Sequence, residues 1–318
     1  MRLSFQKTTI IWILVICNMI TLSILAIHLH KPIKKSEFTF LDPTIANMDI
    51  DQFLEIQSSL NVKYSPLKDS INKIFAEYGT NKSAFYFEDL RTGAWVGIKE
   101  KEAFMSGSLL KVPTMAAIMR DVEDGRLKLS DKVTIIKEDI DPRFSVMYKD
   151  GYGYDITIRE LIGILANHSD NTADLALRRQ LEFGSYADAM FGLGLPYKNM
   201  YNNTQGNSAS ISPKDFSNIF RSLYYSSYLK RPSSEFILML LSDTVFKKGV
   251  AAGLPKGVRY STKIGIWEDF VHECGIVYTK NPYLFCVMTD GVSTERALAM
   301  IRDVSHETYW YVDTFDLK

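Results

Sequence analysis

The sequence predicts an α+β fold: an antiparallel sheet built from both ends of the chain, with a helical lobe inserted between its strands, preceded by one transmembrane helix. Three observations predict it. Strand-like runs occur near residues 83–100 and again at 258–291, helical periodicity fills most of the interval between them, and a 20-residue uncharged run stands near the start. With 318 residues, 46% of them hydrophobic, the chain can bury a substantial core, which excludes a disordered or collagen-like polymer.

The uncharged run TTIIWILVICNMITLSILAI (Thr8 to Ile27) lies between Lys7 and His28. At about 1.5 Å per residue it spans the roughly 30 Å hydrocarbon core of a bilayer. It predicts a signal anchor over residues 8–29, a cytoplasmic N-terminus over 1–7 and a stalk or linker over 30–65. A cleaved signal peptide is the alternative, weakened by the length of the run and by the lack of a closing pair of small residues. Cys17 has no small residue before it and does not read as a lipidation site. The net charge of zero hides a split: residues 1–35 carry five basic and no acidic residues, so the remainder holds 32 basic against 37 acidic. No basic patch or motif suggests nucleic acid. Arg2 and Lys7 are matched by Lys31, Lys34 and Lys35, so flanking charge does not set the orientation.

The body, 66–318, reads as one domain. Leu67, Ile71, Ile74, Phe75 and Tyr78 fall on one helical face, and Gly79 supplies a stop. Ser83–Leu90 and Ala94–Glu100 flank the turn residues Arg91-Thr92-Gly93 and predict a hairpin. A helix is expected from about Leu109 to Asp124. Another starts at Thr157, where Thr157 and Glu160 form a capping box; a third follows Asn171, a fourth begins at Ser212-Pro213, and a further one lies near residue 234. Val258–Ile264, Phe270–Thr279 and Tyr283–Gly291 predict three strands, and Thr294–Asp313 a closing helix. Cys274 and Cys286 fall on neighbouring strands. They are expected as two buried thiols, since directly opposed strands strain a disulfide, with a disulfide outside the cytoplasm as the open alternative.

Three short motifs carry chemistry. Ser108-Leu109-Leu110-Lys111 opens an apolar helix, so the amine and hydroxyl share one helical face at a terminus whose potential favours an oxyanion. Sixty-one residues on, Ser169-Asp170-Asn171 lies in a break between helices; ninety-four further, Lys263-Ile264-Gly265 falls near the end of a strand.

In this order the motifs resemble the S-x-x-K, S-D-N and K-T-G set of class A β-lactamases and their penicillin-binding relatives, over roughly residues 66–318. The phrases SGSLLKVPTMAAIM and TIRELIGILANHSDNTA extend the likeness. The resemblance implies a β-lactamase/transpeptidase-like fold with Ser108 as acylated nucleophile and Lys111 as its proton acceptor or hydrogen-bond partner. Ser169 would pass a proton to the leaving nitrogen under the field of Lys263. Asn171 would contact a substrate amide, Gly265 and Ile266 would line the substrate, and the N–H groups of Ser108 and Ile266 would form the oxyanion hole. No cofactor or metal is implied, and His168, His272 and His306 read as structural.

Two departures stand out. The family's deacylating glutamate, in an E-x-x-L-N loop, has no counterpart, since no Glu occurs between Glu182 and Glu235. Asn203 or Gln205 could orient a water there but could not take its proton. Ile264 replaces the hydroxyl residue of K-T-G, with Thr262 or Ser261 as the nearest substitutes. The expected activity is a serine hydrolase that forms an acyl-enzyme on Ser108 with β-lactams or D-alanyl peptidoglycan peptides and releases it slowly. A non-catalytic penicillin- or wall-binding sensor is the alternative. The protein is expected as a monomer held in the cell membrane by a single pass, with its domain outside the cytoplasm.

Overall fold

Helix α1 (Ser65–Tyr78) buries Leu67, Ile71 and Phe75, carries Pro66 in its first turn and ends at Gly79, whose φ of 57° is the left-handed geometry that glycine adopts without strain. It opens the described part of the chain: the computed structural model describes residues 64–80, 82–195 and 210–315. The expected span at 8–29, nearly all of the stalk, and Asn203 and Gln205 lie outside these residues. Among the described residues no helix is long and apolar enough to cross a membrane.

Strands β1 (Lys82–Asp89) and β2 (Trp95–Ile98) form the expected hairpin. Asp89 closes its turn by accepting from the N–H groups of Arg91 (2.8 Å) and Thr92 (3.3 Å). The short strand β3 (Phe104–Met105) and a 3₁₀ turn (Gly107–Leu110) lead into helix α2 (Lys111–Glu123). Val112 to Met119 are all buried, so α2 is covered on every side, the pattern of a helix in the middle of a core. The lobe continues through β4 (Lys132–Thr134), β5 (Asp155–Thr157), α3 (Ile158–His168), α4 (Asn171–Arg178) and α5 (Ser185–Gly192). Then come β6 (Ser210–Ile211), α6 (Pro213–Tyr225), α7 (Arg231–Ser242) and α8 (Val250–Gly253). Two ribbons, β3 with β6 and β4 with β5, interrupt what the sequence reads as a mainly helical block. Strands of two or three residues are too short to show a period.

The chain returns through β7 (Arg259–Trp267), β8 (Phe270–Tyr278) and β9 (Tyr283–Asp290) and closes with α9 (Thr294–Phe315). The five-stranded order is β2-β1-β9-β8-β7, antiparallel throughout, with β1 against β9 from Lys82↔Asp290 to Asp89↔Tyr283. Both ends of the domain thus share one sheet, as the strand pattern predicts. Alternation divides the core into two layers. Tyr86, Cys274, Ile276, Leu284 and Cys286 face the helical lobe, whereas Phe85, Phe87, Val271, Phe285 and Val287 pack against α1 and α9. Both faces are covered, which is why every residue of β1 after Lys82 is buried.

Of the two readings of Cys274 and Cys286, the structure has the disulfide and not the thiols. The register sets them directly opposite on β8 and β9, with Cα atoms 4.0 Å apart, so the two side chains leave the same face within reach of each other.

Candidate active site

Ser108 lies on the 3₁₀ turn ahead of α2, half-buried, and the turn is possible because its neighbours are small. Gly107 takes φ 51°, and a Cβ there would sit 3.0 Å from the Phe270 ring. A Cβ on Gly265 would lie 3.2 Å from the Ser106 carbonyl and 3.5 Å from the Ser108 nitrogen, so β7 passes directly beside the serine. Gly265 acts here through the side chain it lacks.

Lys111, the first residue of α2, is 5% exposed. Its Nζ donates to the Ser169 carbonyl at 2.5 Å and to Asn171 Oδ1 at 2.5 Å, and lies 3.5 Å from Ser169 Oγ. Lys263 Nζ donates to Ser169 Oγ at 2.7 Å and to the Ile264 carbonyl at 2.9 Å. The Ser169 hydroxyl therefore bridges two lysines. Lys263 lies on β7 opposite Cys274, on the sheet face that meets the lobe. Its reach to the Ile264 carbonyl shows that this carbonyl points away from β8, at the free edge of the sheet. Two residues on, the main chain of Ile266 faces the same edge, the direction an oxyanion donor requires.

Burial lowers Lys111 to about 8, against the opposing fields of Asp174, Asp170 and Asp141. Lys263 is pushed well below the usual lysine range by complete burial and next by the charge of Lys111. Both amines are thereby moved toward neutral, proton-accepting forms.

Ser169 ends α3 in the left-handed region at φ 56°, a conformation of order 1 kcal/mol or more above the usual basins for a residue with a side chain. There its carbonyl and hydroxyl accept from Lys111 and Lys263, and Asp170 follows it. The buried Asp170 carboxylate caps α4 by accepting from Ala173 N (2.9 Å), and also accepts from Val146 N (2.5 Å), Met147 N (3.0 Å) and Ser145 Oγ (2.9 Å). The segment 145–147 is thus fastened to the helix that carries Asn171. A helix N-cap is the ordinary reading of a Ser-Asp-Asn run, and Asp170 fills that position.

The structure brings Ser108, Lys111, Ser169, Asn171, Lys263 and Gly265 around one edge of the sheet. It differs from expectation in three ways. Among the described residues the Ser108 hydroxyl makes no hydrogen bond, and Lys111 is held by Ser169 and Asn171 instead. Asn171 is engaged at both ends, since its Nδ2 donates to Asp141 at 3.3 Å. The hydrogen bond from Arg143 holds the Asp141 carboxyl below the usual range. Finally, the substitutes for the missing hydroxyl fail: Thr262 donates to Glu273 (2.9 Å) and Ser261 to the Leu238 carbonyl (2.6 Å), both buried. Ile264 itself is 5% exposed, in the core layer beneath α9, on the opposite face from Lys263. Phe144 (φ 49°) and Trp267, the last residue of β7, approach to 6.2 Å between ring centroids, an aromatic pair that no sequence pattern marks.

The model of the β-lactamase enzyme family matches residues 66–312. The chain belongs to that family. No protein of curated function matches it by sequence. Among solved structures it is similar to PBP-A, at 22% identity and TM-score 0.71 over 79% of this chain and 97% of that one. It also resembles a β-lactamase from Sphaerobacter thermophilus, at 18% identity and TM-score 0.70 over 79% and 98%. A variant of the last common ancestor of Gram-negative class A β-lactamases gives 22% and 0.69 over 79% and 100%. At these identities the likeness is one of fold, and it is the α+β β-lactamase fold that the motifs suggest.

Proposed function

We propose that this member of the β-lactamase family is a serine hydrolase that opens β-lactams, or cleaves D-alanyl peptidoglycan peptides, through an acyl-enzyme on Ser108. The observation that carries the reading is the Ser169 hydroxyl bridging Lys111 and Lys263 beside the serine. Neutral Lys111 takes the Ser108 proton as Oγ attacks the substrate carbonyl. The developing oxyanion is met by the N–H groups of Ser108 and Ile266 at the free edge of β7. Ser169 then hands a proton to the departing nitrogen, and Lys263 keeps the hydroxyl oriented by donating to it. Asn171, already bound to Lys111, fixes that amine and exchanges its bond to Asp141 for a substrate amide. PBP-A, which shares the fold, has a variant solved as an acyl-enzyme with penicillin G.

A second reading, a penicillin- or wall-binding sensor without turnover, is favoured by the unengaged Ser108 hydroxyl and the buried Ile264. In either reading the domain acts outside the cytoplasm, anchored by residues 8–29, as a monomer; the Cys274–Cys286 disulfide supports an oxidising compartment. Incubation with a fluorescent penicillin followed by peptide mapping tests the assignment. One label per chain on Ser108 is expected; no label, or label elsewhere, contradicts it.

A further inference from the structure

An ester on Ser108 needs a base if water is to hydrolyse it near neutral pH, and no Glu occurs between Glu182 and Glu235 to supply one from the loop after α5. Three carboxylates lie within the field of Lys111: Asp174, Asp170 and Asp141. Two are occupied. Asp170 accepts from Ser145, Val146, Met147 and Ala173. Asp141 accepts from the Arg143 main chain and guanidinium and from Asn171.

Asp174 differs. It stands three residues after Asn171 on α4, on nearly the same face of the helix as the amide that holds Lys111. Its Oδ2 accepts from Arg178 Nε at 2.9 Å, while Oδ1 is buried and has no hydrogen-bond partner. A buried carboxylate oxygen without a donor is a place for a water. Its position is fixed from behind: Arg178 also donates to the Tyr186 hydroxyl at 3.2 Å, and that hydroxyl donates at 3.2 Å to the carbonyl of Leu110, the residue before Lys111. Asp174 is the largest charge influence on Lys111 and, after Lys111, on Lys263.

We propose that Asp174 Oδ1 holds and deprotonates the water that hydrolyses the acyl-enzyme, a role that rests on the acyl-enzyme reading above. The water oxygen bonds to the acyl carbon while Asp174 takes one of its protons. The carbon–Oγ bond then breaks, and that proton passes through Lys111 to Ser108 Oγ, leaving a free acid and the original serine. The base comes from a helix rather than from the loop after α5. Asp174 thereby makes a site that acylates also able to turn over.

Burst kinetics with a chromogenic cephalosporin on the full chain test this. The wild type is expected to show a stoichiometric burst followed by a slow steady phase. Asp174→Asn should keep the burst and slow the second phase by about 100-fold or more. Hydroxylamine, a nucleophile that needs no such base, should release the acyl group equally fast from both proteins. Asp174→Glu, which keeps a carboxylate on the same turn, should retain the slow phase within about tenfold and serves if the Asn variant folds poorly. A slow phase unchanged in Asp174→Asn, a slow phase lost in Asp174→Glu, or a wild type that releases nothing after its burst overturns the proposal. A wild type with no burst and no label on Ser108 sinks the acyl-enzyme reading itself, and this role with it.

Discussion

Lys111 sits between opposing influences: burial strips away its hydration and lowers it to about 8, while Asp174, Asp170 and Asp141 hold it from falling further. The consequence is a pH dependence with a definite sign. Below about 8 the amine is protonated and cannot accept the Ser108 proton; above it the amine is free. The rate constant for acylation by a penicillin, followed by label incorporation between pH 5 and 10, is therefore expected to rise through about 8 and level off. A flat profile would show that Lys111 is not the acceptor. Lys111→Arg, charged throughout this range, should slow acylation by about 100-fold or more. The S-x-x-K spacing shows that the two side chains share a helical face. It does not show where Nζ goes, because that is decided by Ser169 and Asn171, sixty residues away in sequence. For the same reason Ile264 reads as a lost hydroxyl in sequence and proves to be a core side chain facing away from Lys263.

At the scale of elements, the site depends on the break between α3 and α4. Helix α3 begins with the capping box that the sequence shows, Thr157 Oγ1 accepting from Glu160 N and the Glu160 carboxylate accepting from Thr157 N. It ends on the strained Ser169, and Asp170 starts α4 one residue later. Asp170→Ala would leave four donors without their acceptor, including the main chain of 146 and 147. We expect a stability loss of about 2–4 kcal/mol in urea unfolding and weakened acylation, because Ser169 and Asn171 flank the lost clamp. A loss within about 0.5 kcal/mol would mean that the segment is held by other contacts. The long elements were legible because each carries its own period and caps: α1 with Gly79, α6 with Ser212 and Pro213, and the three late strands. The ribbons β3–β6 and β4–β5 were not. Their few residues pair across long sequence distances, as Phe104 does with Ile211.

At the scale of the domain, the described residues build on a five-stranded sheet whose strands come from both ends of the domain, with a lobe between them and a disulfide across β8 and β9. The bridge joins residues 12 apart, a loop length for which chain entropy gives a stabilisation of about 3 kcal/mol. Denatured, unreduced protein should therefore show one reactive thiol per chain, Cys17, whereas three would contradict the bridge. The site is assembled from α2, the α3–α4 break and β7, so no single stretch of sequence contains it; only the order and spacing of three short motifs reveal it. The central claim is that this assembly forms an acyl-enzyme on Ser108. The most direct measurement is the pre-steady-state burst with a chromogenic cephalosporin on wild type and Ser108→Ala. The account predicts one equivalent of product per chain in the wild type, then a slow phase, and no burst in Ser108→Ala. Equal bursts in the two proteins, or none in the wild type, would contradict it.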